Sequence, residues 1–291
     1  MALEKEGQGP IKLLLPVCAV LCAMAGFQLG AGFAKGLFSA IGPQGAAGLR
    51  TAIAAVMLNL VFRPWRNWPA NAPWWTVLGL GVSMAMATLA FYMALSRLPQ
   101  GVTIVLQFLG PLAVALFATR RALDLVWVIL ALIGVWVLLA PGMAHRGLDS
   151  LGVVFALTAA AGWAGYILFG RMAGAAFGGS APALAMAVAA IIVLPFGVVH
   201  AGVALLNPAI WPTVLLVALF STALPFTLEL YAMPRMPART FAVLMSLEPA
   251  FGALSGLFLL HEHLAVLQIV GVVCVIAAAG GATWRAASPV A

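Results

Sequence analysis

The chain has 291 residues, of which 65% are hydrophobic, and a mean hydropathy of +1.14. Its 14 Lys+Arg and 7 Asp+Glu make up 7% of the residues, against about 25% in a soluble domain. So few charges cannot cover a globule of this size. A soluble enzyme, a disordered chain and a secreted disulfide scaffold are therefore excluded, and an all-α polytopic membrane protein remains. The net charge of +7 does not indicate nucleic acid, because the basic residues punctuate apolar segments and form no groove-binding patch.

A membrane-spanning helix needs about 20 apolar residues. In chain order the apolar runs predict ten: Ile11–Phe33, Gln44–Phe62, Pro73–Ser96, Gly101–Ala118, Asp124–Ala140, Leu151–Phe169, Ala181–His200, Trp211–Ala232, Arg239–Leu260 and Ala265–Trp284. The first is too long for a signal-peptide core and reads as a retained helix. Its Gly26–Gly32 stretch offers a small-residue face for close packing. Turn chemistry separates the runs, as at Arg63-Pro64, Pro141-Gly142, Asn207-Pro208 and Pro234–Pro237. The runs are continuous and do not alternate, which disfavours a β-barrel.

With the N-terminus inside, ten of the 14 basic residues face the cytoplasm. Lys35, Arg97 and Arg146 face outward, and Arg50 lies within a helix. Both termini are then cytoplasmic. Seven tryptophans fall near predicted helix ends, where interfacial rings settle, and Trp136 and Trp163 read as lipid-facing bulk. Cys18, Cys22 and Cys274 read as small buried apolar residues with no disulfide or metal spacing. His145, His200, His261 and His263 fall at predicted outer ends or loops and read as solvated, so no metal site is expected. No nucleotide-binding Gly-Lys motif is present and no cofactor is expected.

The chain repeats itself. Arg97, Pro99, Pro111 and Asp124 recur 138 positions later as Arg235, Pro237, Pro249 and Glu262, and Ser83 recurs as Ser221. Gly26, Phe27 and Lys35 match Gly162, Trp163 and Arg171 at a spacing of 136. This divides the chain into residues 1–140 and 141–291, with five helices in each. An odd number of spans per half inverts the second half in the membrane, so the fold expected is two inverted five-helix repeats. Inverted repeats recur in secondary transporters, whose substrate site lies near the midplane between the repeats.

Charged groups in hydrocarbon are costly and need a reason. Three fall clearly within spans: Arg50, Glu229 and Glu248. Glu248 lies about 13 Å along the ninth helix, near the midplane. Pro249 follows it and leaves the Met245 carbonyl without its helical bond. A carboxylate beside an open carbonyl can seat an ammonium group or a proton, which makes Glu248 a candidate for both substrate binding and proton coupling; the alternative is a structural ion pair. Glu229 either contacts substrate or pairs with Arg235 or Arg239. Arg50 either binds a substrate carboxylate or ties helices together through backbone carbonyls. Gln107, whose carbonyl Pro111 frees, either contacts substrate or makes an interhelical hydrogen bond. Tyr92, Gln28, Ser221, Thr222 and Ser246 are further candidates. Phe91, Phe108, Phe226 and Phe241 line a cavity or pack in the core.

Several stretches resemble a known family. They are Leu106–Phe117, Ser221–Pro225 continuing to Leu228-Glu229, and Arg239–Phe241 continuing through Leu244–Ala250, together with Gly26–Gln28 and Ala34–Phe38. On these the chain is identified as a member of the drug/metabolite transporter superfamily, in the EamA-type branch, and is similar to bacterial inner-membrane threonine/homoserine exporters. The resemblance implies ten helices in two repeats and a central cavity lined largely by the third, fourth, eighth and ninth. Pro111, Pro225 and Pro249 fall in those helices and read as bends between states. The resemblance also implies proton-driven export of a small-molecule substrate, with protons and membrane lipid as the other partners. The expected cargo is threonine- or homoserine-like. The alternative cargo is an aromatic or hydrophobic amino acid or another amphiphile, which the 16 Phe and 12 Met favour. A membrane scaffold and an intramembrane enzyme are the readings of a different class.

Overall fold

The computed structural model describes residues 10–66, 73–118, 125–139, 149–232, 247–259 and 266–286. Among them every regular element is helical. In hydrocarbon, a backbone that satisfies its own polar groups must be helix or closed barrel, and these sequences take the first option.

The helices are α1 (Pro10–Gly36), α2 (Phe38–Phe62), α3 (Trp74–Leu95), α4 (Gln100–Ala118), α5 (Leu125–Leu139), α6 (Ser150–Phe177) and α7 (Ala181–Ala201). They continue with α8 (Trp211–Ala218), α9 (Leu224–Ala232), α10 (Glu248–Leu259) and α11 (Val266–Ala286). Among the described residues, five stretches are long and apolar enough to cross a membrane, and one of them, Ser150–Leu206, holds both α6 and α7.

Several predicted boundaries move. The second helix starts at Phe38, not Gln44, but Gly42 breaks it with φ 67° and ψ 170°, so Pro43 opens a fresh helical run. The sixth helix continues past Phe169 to Phe177, because nothing in the intervening residues breaks it before Gly178. The predicted Trp211–Ala232 helix is divided by a π-helical segment, Leu219–Ala223, directly before Pro225. Of the predicted ninth helix, only the part from Leu247 on is described; Met245, Ser246, Phe241, Arg235 and Arg239 lie outside the described residues. Pro249 stands in the first turn of α10, a position that suits proline, and the Met245 carbonyl it was expected to free lies outside the described residues. Pro111 lies inside α4.

The polarity of the molecule is inverted relative to a soluble globule. Val199 (87% exposed), Ile191 and Trp136 crowd the outer surface, while Arg50, Glu229, Gln28, Gln100 and Gln107 are buried. Cys18 and Cys22 are exposed on this apolar exterior, against the expectation that they are buried. They face the side of α1 that turns away from the bundle. Trp163 also departs from expectation, since it faces the interior and not lipid.

The most extensive helix pairs are α2 with α7 and α3 with α6, followed by α5 with α11, α4 with α6, α3 with α7, α1 with α9 and α4 with α10. Two glycine–serine approaches anchor this arrangement. A Cβ at Gly30 on α1 would collide with Ser221, and one at Gly165 on α6 would collide with Ser83 on α3. Glycine allows each backbone to come this close. At the end of α3, Arg97 Nη1 donates to Asp149 Oδ2 at 2.8 Å, and Asp149 in turn caps α6 by accepting from the Leu151 and Gly152 amides. Helix ends far apart in sequence are thus tied together by one carboxylate.

Candidate functional site

A cavity opens between helices from both halves of the chain. It offers about 60 Å³ to the centres of water molecules, room for a few waters. Helix α3 contributes one stripe at helical spacing, Met84, Ala87, Thr88, Phe91 and Tyr92. Phe27, Gln28 and Ala31 come from α1, and Arg50 from α2. Gln107, Trp163, Tyr166, Met186, Ser221, Phe226 and Glu248 complete the lining.

Arg50 is the most heavily bonded of these. Its Nη1 donates to the Ser221 carbonyl at 3.0 Å, to Ser221 Oγ at 2.6 Å and to Thr222 Oγ1 at 2.7 Å. Its Nη2 donates to Thr88 Oγ1 at 3.3 Å. The guanidinium carbon sits 5.2 Å from the Tyr92 ring centroid, a cation–π contact. The Ser221 carbonyl is available because Pro225, four residues on, has no N–H to bond it. A helix defect is therefore satisfied by a buried cation from another helix.

Aromatic rings form a continuous wall. Trp163 and Tyr166 are 5.2 Å apart at their centroids, Tyr166 and Phe226 6.1 Å, and Phe226 and Phe27 5.8 Å. Trp163 Nε1 donates to Gln107 Oε1 at 3.1 Å, so Gln107 both lines the cavity and makes an interhelical bond. Gln28 also does both. Its carbonyl accepts from Gln100 Nε2 and Ser255 Oγ, each at 3.2 Å, and its side-chain oxygen accepts from Gln100 Nε2 at 3.2 Å. Gln100 Nε2 also donates to Ser255 Oγ at 3.0 Å, which joins α1, α4 and α10.

Of the sequence candidates, the fold brings Glu248, Gln107, Arg50, Tyr92, Gln28, Ser221, Phe91 and Phe226 to one cavity. Glu229 is buried at 7% exposure beside the cavity and not in its lining, within Coulombic reach of Glu248 and Tyr166. Thr222 is outside the lining and meets it through the bond its hydroxyl accepts from Arg50. Phe108 packs with Leu112, Ala131 and Ala278 and takes no part in the wall. Ser246 and Phe241 lie outside the described residues. Trp163, expected to face lipid, joins this lining, as do Tyr166, Thr88, Met84 and Met186, which were not among the sequence candidates. The repeat pairing of Phe27 with Trp163 carried a signal for the first, and the helical stripe through Tyr92 carried one for Thr88 and Met84.

An apolar exterior around a cavity that holds a buried guanidinium and a carboxylate defines a multi-pass helical membrane protein of the transporter class. The chain belongs to the EamA-like transporter family, whose model matches residues 150–284. It is 44% identical over 269 residues to the threonine/homoserine exporter RhtA of Salmonella typhimurium LT2, covering 92% of this chain and 91% of that one. It is 43% identical to the RhtA exporter of Escherichia coli K12 over the same shares. A solved crystal structure shares the fold with a TM-score of 0.56 at 18% identity, over 95% of this chain and 97% of the other.

Proposed function

We propose that this protein is a secondary active exporter of small amino acids of the threonine and homoserine type, working across a bacterial inner membrane. The observation that carries this is a single cavity, lined from both halves of the chain, that contains Arg50 and Glu248 together. A zwitterion brings a compensating charge to each, whereas a bare ion leaves one buried charge unmatched. The names of the relatives described above agree with this cargo.

The machine is ten spans in two inverted repeats, residues 1–140 and 141–291, with both termini cytoplasmic and alternating access as the mode of transport. Its support is the pairing of helices. With α8 and α9 taken as one span, α2–α7, α4–α10 and α5–α11 each join counterparts, and α3–α6 corresponds to α1–α9. The Ser83–Gly165 and Ser221–Gly30 contacts correspond in the same way. Pro111, Pro225 and Pro249 are the bends, and the π-helical segment before Pro225 supports the second of them.

Protons are the coupling ion and Glu248 is their site. Glu229 and Glu248 repel when both are ionised in apolar surroundings, and either a proton or a substrate ammonium relieves that repulsion. Exchange of one for the other at Glu248 couples the two fluxes.

The aromatic wall favours a second cargo, a hydrophobic or aromatic amino acid. Liposomes containing the purified chain, loaded with a labelled amino-acid panel under an imposed proton gradient, separate the two. Threonine and homoserine flux that rises with the gradient is expected. Flux of aromatic amino acids without competition by threonine or homoserine sinks the first cargo in favour of the second.

A further inference from the structure

Arg50 is only half used by the protein. Its Nη1 is saturated by Ser221 and Thr222, as described, and this end of the guanidinium ties α2 to the π-helical segment. The opposite edge, formed by Nε and Nη2, is different. Nε is buried and has no hydrogen-bond partner among the described residues, and Nη2 has only the long 3.3 Å bond to Thr88 Oγ1. The side chain is 9% exposed and lines the cavity. The Tyr92 hydroxyl, on a residue 1% exposed that also lines the cavity, lies near the Ser221 side chain but completes no hydrogen bond to it or to another described residue. Unmatched buried donors are rare in folded proteins and mark a missing ligand or water.

Nε–H and one Nη2–H of a guanidinium point the same way, at the spacing of the two oxygens of a carboxylate. The Tyr92 ring lies against the guanidinium, and its hydroxyl supplies a third donor in the same lining. We infer that the Nε/Nη2 edge of Arg50 and the hydroxyl of Tyr92 form a carboxylate seat in the cavity, which takes the α-carboxylate of the transported amino acid while Nη1 holds the helices. This rests on the exporter reading and adds a selection rule: cargo must carry a carboxylate. An alcohol or amide of the same amino acid keeps the ammonium and side chain but cannot accept the bidentate pair, and it leaves Nε unsatisfied.

The test uses the full-length chain in detergent and in liposomes. Binding and flux are measured for threonine, homoserine and phenylalanine, and for threoninol, threonine amide and phenylalaninol. The seat predicts that each free acid binds at least about tenfold more tightly than its alcohol or amide, the scale of one or more hydrogen bonds to a charged group. Tyr92→Phe keeps the ring and removes one donor. Arg50→Lys keeps the charge and removes the fork. Both weaken the free acids by about tenfold or more and leave the already weak alcohols unchanged, which narrows the discrimination. Chromatographic monodispersity and Tm identify variants that are merely misfolded, and Tyr92→Phe carries the test if Arg50→Lys is one of them.

Threonine flux with equal binding of threoninol overturns the seat and leaves the exporter standing. Equal weakening of acids and alcohols in Tyr92→Phe also overturns it, since a purely structural role predicts that pattern. Discrimination confined to phenylalanine over phenylalaninol keeps the seat and removes the threonine-type cargo. Absence of flux and binding for every amino acid removes the exporter reading and the seat with it.

Discussion

Arg50 Nη1 donates at 3.0 Å to the carbonyl of Ser221, the carbonyl that Pro225 leaves without a helical partner. Of the two roles open to a buried arginine at this position, tying helices or meeting substrate, the geometry gives the tie to one edge of the guanidinium. Replacing Arg50 by Met strands this carbonyl and both hydroxyls. The expected loss is about 1–3 kcal/mol of stability, the cost of leaving a buried acceptor unmatched. It is read as a lower Tm in detergent. Retention of the full Tm in Arg50→Met shows that water replaces the guanidinium at no cost.

Glu248 is the proposed proton site, and Glu248→Gln keeps its shape while abolishing the charge change. The variant inserts and is monodisperse, but its flux no longer responds to a proton gradient. Flux measured at several imposed pH differences checks this. A wild-type gradient response in the variant takes Glu248 out of the coupling step.

The two glycine–serine contacts differ in what blocks them, and this gives opposite rescue behaviour. At Gly165 the obstacle to a Cβ is the Ser83 side chain, whose own Cβ would lie at 3.2 Å. Gly165→Ala is expected to lose about 1–3 kcal/mol by overpacking, and adding Ser83→Ala restores most of it. At Gly30 the Ser221 backbone itself stands 2.8 to 2.9 Å from a Cβ, so Gly30→Ala is not rescued by Ser221→Ala. Thermal unfolding of the four variants distinguishes the sites; equal rescue at both contradicts the backbone contact at Gly30.

Asp149 titrates outside the spans. The hydrogen bond from Arg97 holds its carboxyl below the ordinary value, helped by the Gly152 and Leu151 amides. A depressed folded-state value means that the carboxylate stabilises the fold above its unfolded titration point, and that this contribution disappears as pH falls through the folded one. Asp149→Asn therefore lowers Tm at pH 7, and the gap from wild type narrows as pH falls below about 4. A pH-independent gap assigns the effect to capping geometry alone.

Membrane class, helical secondary structure and most helix positions were legible from composition and run length, because hydrocarbon leaves so few alternatives for a backbone. The candidate site was legible in part for the same reason: Arg50, Glu248 and Gln107 are conspicuous in apolar runs. Trp163 and Tyr166 were not, since an aromatic residue suits lipid, core and cavity equally and only the rotation of α6 decides among them. The exposure of Cys18 and Cys22 was hidden in the same way, because lipid and core are equally apolar and hydropathy carries no sign to separate them.

The sequence by itself determined that this chain lives in a bilayer, that several of its residues recur at a spacing of 138 and that a few polar groups fall inside apolar runs. Only the tertiary structure decided which of those groups meet. Arg50 lies 171 positions from Ser221, and Gln100 lies 155 from Ser255. No local spacing encodes such encounters, which follow from how closely glycine and serine let helices approach and how each helix is turned about its axis.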